Sequence, residues 1–75
     1  MPENNTTAAA PEGPTLLLIG AVQRRTDLPR STIYLLIDRG EFPRPVRLTP
    51  RRVAWVASEI DAFIASKIAA RDRAA

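Results

Sequence analysis

The 75-residue chain contains no cysteine and no histidine. Disulfides, thiolate or imidazole metal sites and the side chain most often used as a general base near neutral pH are therefore excluded. Only three glycines occur, and none sits in a phosphate-cradling loop. The carboxylates Asp27, Asp38, Glu41, Glu59 and Asp61 do not fall at metal-ligand spacing, so the expectation is a protein with no metal, no cofactor and no enzymatic activity. Long apolar runs are also missing. The stretch Leu16 to Ile19 is far short of the roughly 18 residues needed to cross a bilayer. No basic segment precedes an apolar one at the N-terminus, as a signal peptide would require. The expected location is the cytoplasm, with no membrane partner.

What is present is unevenly placed. Residues 1–15 hold an Asn-Asn-Thr-Thr run, an alanine run and three prolines, too little apolar surface to offset the entropy of ordering. They read as a disordered tail, followed by one domain over residues 16–70 and a frayed end at 71–75. The domain is near the smallest size that folds without a metal or disulfide. Net charge is only +3, but residues 24–52 carry eight arginines against three carboxylates. Such a concentrated surplus points to a polyanionic partner.

The segment Leu28 to Gly40 carries a turn, an apolar stripe and a stop signal. Ile33, Leu36 and Ile37 recur at the spacing of one helix face. Ser31 reads as the N-cap and Gly40 as the left-handed residue that ends the helix. Ser31, Thr32, Tyr34, Leu35 and Asp38 are then left facing outward. Upstream, Ile19 to Thr26 forms a weaker first helix, poorly capped and containing Gly20, and Asp27 to Arg30 makes the four-residue turn. The pair is a helix-turn-helix, whose second helix offers its N-terminal half to the major groove of DNA.

Glu41-Phe42-Pro43-Arg44-Pro45 cannot be helical, because two prolines fix an extended path. Val46-Arg47-Leu48 and Arg52-Val53-Ala54-Trp55-Val56 alternate about Thr49-Pro50-Arg51, a β-hairpin with arginine at its tip. Ser58 reads as the cap of a last helix in which Ile60, Phe63, Ile64 and Ile68 share a face. The fold class that results is mainly α with a small β-hairpin wing, a winged helix-turn-helix. Its expected core is Leu17, Ile19, Val22, Leu28, Ile33, Leu36, Ile37, Phe42, Val46, Leu48, Val53, Trp55, Ile60, Phe63 and Ile64.

The candidate DNA-contacting residues fall into three groups. On the second helix they are Arg30, Ser31, Thr32, Tyr34 and Leu35; on the wing and its flanks, Arg44, Arg47, Arg51 and Arg52; as backbone contacts, Arg24, Arg25 and Arg39. Several have competing structural readings. Ser31 can simply cap its helix, Tyr34 can donate to a phosphate or pack beside the wing, and Arg24 and Arg25 can be a solvated helix end. Trp55 fits the core better than a base-stacking platform.

Arg30-Ser31-Thr32-Ile33-Tyr34, Gly40 to Leu48 with its Phe42-Pro43-Arg44-Pro45 segment, Arg51-Arg52-Val53-Ala54-Trp55 and Ser58 to Ile64 together resemble the AlpA-type phage regulators and the related excisionases. The resemblance covers about fifty residues and implies a MerR-like winged helix. It also implies a role in a prophage or mobile element, in a bacterial host and at its nucleoid. Two positions depart from the pattern: Leu35 stands where a basic residue is common, and Asp27 where glycine usually follows Thr26. The implied function is an excisionase, that is a recombination directionality factor, or an AlpA-like transcriptional regulator. The implied partners are double-stranded DNA, further copies of the chain on adjacent sites and a phage integrase. The alternative is an adaptor that binds an integrase or another phage or host protein, with DNA binding incidental.

Overall fold

The computed structural model describes residues 13–74. Most of the segment read as a disordered tail therefore lies outside the described residues. In chain order the elements are β1 (Leu16–Leu17), α1 (Ile19–Thr26), α2 (Arg30–Asp38), β2 (Val46–Thr49), β3 (Arg52–Val56) and α3 (Ala57–Ala74). The strands form an antiparallel sheet in the order β1-β3-β2, with Leu17 opposite Trp55 and Val46 opposite Ala54. Among the described residues, three helices packed on a small sheet with a hairpin extension make a winged helix. None of the described helices is long and apolar enough to cross a membrane.

Helix α1 starts without a side-chain cap and ends at Asp27, which adopts a left-handed conformation (φ 58°, ψ 33°). The Asp27 N–H donates to the Gln23 carbonyl at 2.7 Å, and the Thr26 hydroxyl donates to the Val22 carbonyl at 2.8 Å. Aspartate tolerates this conformation better than most residues, yet glycine adopts it without a Cβ penalty. The chain then turns into α2 through Leu28 and Pro29.

Pro29, not Ser31, occupies the N-cap position of α2, with φ −64° and ψ 154° and no side-chain cap bond. Proline is already fixed at the required φ and has no N–H to leave unpaired. Ser31 is thereby placed within the first turn, exposed. The helix ends as its sequence dictates. Gly40 has φ 72°, its N–H donates to the Ile37 carbonyl, and the Glu41 N–H donates to the Leu36 carbonyl at 2.8 Å. This pair of bonds is a Schellman motif.

Helix α3 follows β3 directly, so Ser58 is an internal residue and not the cap. The Ala57 N–H instead donates to the Thr15 carbonyl at 2.8 Å, a backbone acceptor supplied by the chain entering β1. The helix runs through Ala74, beyond the domain end drawn at residue 70.

Trp55, Ile33, Ile60 and Val22 are the largest fully buried side chains, and Phe42 joins them. The indole N–H of Trp55 donates to the Pro43 carbonyl at 3.1 Å, which leaves no buried polar group unpaired on the ring. Phe42 packs on Phe63 with ring centroids 4.6 Å apart, and Tyr34 meets Trp55 edge-on at 6.2 Å. Val46 and Leu48, expected in the core, are exposed. They lie on β2, a sheet edge exposed at all its residues, and a β-bulge at Leu48 interrupts the alternation assumed from sequence. Ala54 and Ala57 are buried in their place.

Three substitutions test these assignments. Asp27→Gly should raise unfolding free energy by about 0.5–1 kcal/mol, because a left-handed position is relieved; a loss of stability in urea titration would contradict the assignment. Tyr34→Ala should cost about 2 kcal/mol or more through its lost packing on Trp55. Leu35→Ala, on the exposed side of the same helix, should change stability by less than about 0.5 kcal/mol.

Candidate nucleic-acid interface

The N-terminal turn of α2 is a set of open donors. Pro29 supplies no side-chain acceptor and the first turn contains no acidic residue. The early backbone N–H groups therefore lack an intrahelical partner, and the positive end of the helix dipole faces solvent uncancelled. Such an end favours an anionic group. Ser31 and Leu35 are exposed around it, Leu35 at 49%, while Thr32 and Tyr34 are half-buried.

Arg30 opens the helix and lies over the Tyr34 ring, its guanidinium carbon 5.8 Å from the ring centroid. The contact is of cation–π type, and it holds the guanidinium against the helix without neutralising it. Arg30 and Tyr34 line a depression of about 390 Å³ whose other lining residues are Arg51, Arg52 and Val53 of the wing and Leu18 and Ile19. The structure thus brings together Arg30, Tyr34, Arg51 and Arg52, which lie in two segments about twenty residues apart in the chain. Three guanidinium groups and a phenol surround one concavity, with no carboxylate among the residues lining it.

The other candidates lie elsewhere or are engaged. Arg47 donates from Nη1 to the Pro50 carbonyl at 3.0 Å, and the Arg51 N–H donates to Thr49 Oγ1 at 3.2 Å. Both bonds stiffen the turn between β2 and β3. Arg44 lines a separate groove together with the carboxylates Glu41 and Glu59 and the rings of Phe42 and Phe63. Arg39 is exposed at the C-terminal end of α2, the opposite end from Arg30. Arg24 stands beside the turn formed by Asp27, Leu28 and Pro29. Arg25 is ion-paired with Asp61 of α3 at 2.8 Å, a surface pair that links two helices and contributes little stability.

Two contributions to the site escape a reading by residue type. Leu18 and Ile19 form a wall of the depression, yet as apolar residues they resemble ordinary core. The free N–H groups of α2 belong to the backbone, and the signal for them is Pro29 before Arg30. Among the described residues no group of His, Cys, Asp or Glu could hold a metal ion.

Known proteins share this chain's pattern over most of its described length. An uncharacterized protein of Enterobacteria phage P4, ORF88, is 47% identical over 57 residues, which is 76% of this chain and 65% of the phage protein. The chain thus spans slightly less than two thirds of that relative. Residues 16–68 match the family described as Prophage CP4-57 regulatory protein (AlpA). That match runs from β1 well into α3 and contains both arms of the arginine-lined depression. The chain belongs to the family described as Prophage CP4-57 regulatory protein (AlpA).

Proposed function

We propose that this protein binds double-stranded DNA with a sequence preference. The N-terminal half of α2 enters the major groove, and the wing arginines lie on the adjoining backbone or minor groove. The observation that carries the reading is the convergence of Arg30, Tyr34, Arg51 and Arg52 on one carboxylate-free concavity next to the open end of α2. Arg30, Arg51 and Arg52 supply most of the electrostatic attraction, helped by the donors of the first helical turn. Thr32, Tyr34 and Leu35 supply the choice of sequence. Leu35 is suited to the methyl group of thymine, since it is exposed and carries no donor or acceptor. Arg44, Arg47, Arg24 and Arg39 flank this surface and add backbone contacts over a longer duplex. Arg25 is the weakest of the candidates, because Asp61 already holds it.

In its phage or mobile element the protein acts as an excisionase or as a transcriptional regulator. Both roles use the same contacts and differ in where the preferred site lies: at an attachment site for the first, upstream of a gene for the second. A phage integrase is a partner in the first role. An adaptor role would leave the arginine cluster without a purpose, so DNA binding is the preferred reading.

Titrating a short duplex with the protein at rising salt tests this directly. With about four phosphate contacts, affinity should fall about a hundredfold between roughly 50 and 200 mM salt. Arg51→Ala combined with Arg52→Ala should weaken binding and reduce the slope of log affinity against log salt by about two. Affinity independent of salt, or unchanged in the double variant, would refute the proposed contact surface. Comparing duplexes from attachment sites with duplexes from upstream regions then separates the two roles.

A further inference from the structure

A second surface lies apart from the arginine cluster. Helix α3 and the turn before α2 enclose a mostly apolar groove of about 420 Å³, lined by Leu28, Leu36, Ile64 and Ile68 and by the cationic side chains of Arg25, Lys67 and Arg71. It shares no residue with the depression between α2 and the wing. Ile68 is 47% exposed, and the helix beyond Ile64 is exposed at every described residue. An amphipathic helix that continues past its own core leaves apolar surface for something else to cover.

The sequence of that face specifies what covers it. Asp61, Ile64, Ile68 and Arg71 are spaced three, four and three residues apart. At about 100° per residue they share a stripe about 80° wide along α3. The spacing reads the same in both directions, whereas the charges are opposite at the two ends. A stripe of this kind complements itself when two copies run antiparallel. Arg71 of each chain then faces Asp61 of the other, and Ile68 faces Ile64. Both charged ends are available, with side-chain exposures of 63% for Asp61 and 73% for Arg71. Their present partners, Arg25 and Asp72, hold them only through surface ion pairs, which are cheap to share or exchange.

We propose that this face of α3 is a docking surface for a second copy of the same chain, paired antiparallel about a two-fold axis level with Ser66. The interface is isologous, so it closes at a dimer. The surface is small for a stable dimer, and association in free solution is accordingly weak. Two copies held on neighbouring DNA sites meet at an effective concentration in about the millimolar range, which such an interface can use. The arginine cluster remains uncovered in the pair. Only this last benefit rests on the DNA-binding reading, since the association itself is measurable without DNA.

Sedimentation equilibrium of the full chain, without DNA and up to about 1 mM, provides the test. The wild-type chain should show a monomer–dimer equilibrium. Asp61→Arg and Arg71→Glu should each weaken it about tenfold or more, because each variant opposes like charges at both ends of its homodimer. An equimolar mixture of the two variants should recover association to near the wild-type level, since opposite charges then meet at both ends. Ile68→Ser, at a half-exposed position that does not threaten folding, should weaken dimerisation with helical circular dichroism unchanged. A wild-type chain monomeric throughout, single variants that associate like wild type, or a mixture no better than its components would each overturn the proposal. None of these results bears on DNA affinity, so the two readings fail separately.

Discussion

The indole of Trp55 is fully buried and donates to the Pro43 carbonyl, joining the strand that carries the wing to the loop that leaves α2. Its ring also receives the edge of Tyr34. The angle between helix and wing, on which any two-part grip of a duplex depends, is thus set by one side chain with contacts on both sides. The neighbouring bulk comes from Val22, Ile33, Phe42 and Ile60, one residue from each helix and one from the loop that leaves α2. The chain has no cysteine, and among the described residues no group could hold a metal ion, so packing carries this link.

From this anchor the functional surface follows. Tyr34 touches both Trp55 and Arg30, so the ring transmits the position of the core to a guanidinium at the surface. The wing arrives beside it because Val53 and Trp55 are paired in register with β2 and β1 respectively. Electrostatics then divides the molecule. The depression between α2 and the wing is lined mainly by arginines without carboxylates, whereas the groove along α3 is mostly apolar, with Arg25, Lys67 and Arg71 among its lining residues. The first is the face proposed to meet a polyanion, the second the face proposed to meet another copy of the chain.

Much of this could be read from the residues alone, because the signals are local. Helix α2, its Gly40 stop, the proline-rich exit and the arginine-tipped hairpin all depend on neighbours within a few residues. What escaped was non-local or fell between competing local rules. Ser31 carries a strong capping signal, yet Pro29 starts the helix first. Ser58 carries another, yet the carbonyl of Thr15, distant in sequence, takes its place. β1 has only two residues, too few to show a period. The bulge at Leu48 breaks an alternation that otherwise reads as core. For the candidate site, every member of the arginine cluster was identifiable by type and charge. Which arginines would stand together was not, since Arg25 meets its partner Asp61 thirty-six residues away and Arg44 turns to another groove.

The proposed DNA contact is confined to one face, made of the start of α2 and the wing turn. Backbone amide shifts in nuclear magnetic resonance, followed as a short duplex is added, report on that face most directly. Contact there requires the largest changes at residues 30–35 and 51–53, with those at 61–71 small at a ratio of one chain per duplex. Changes concentrated along α3, with the start of α2 and the wing turn unmoved, would contradict it.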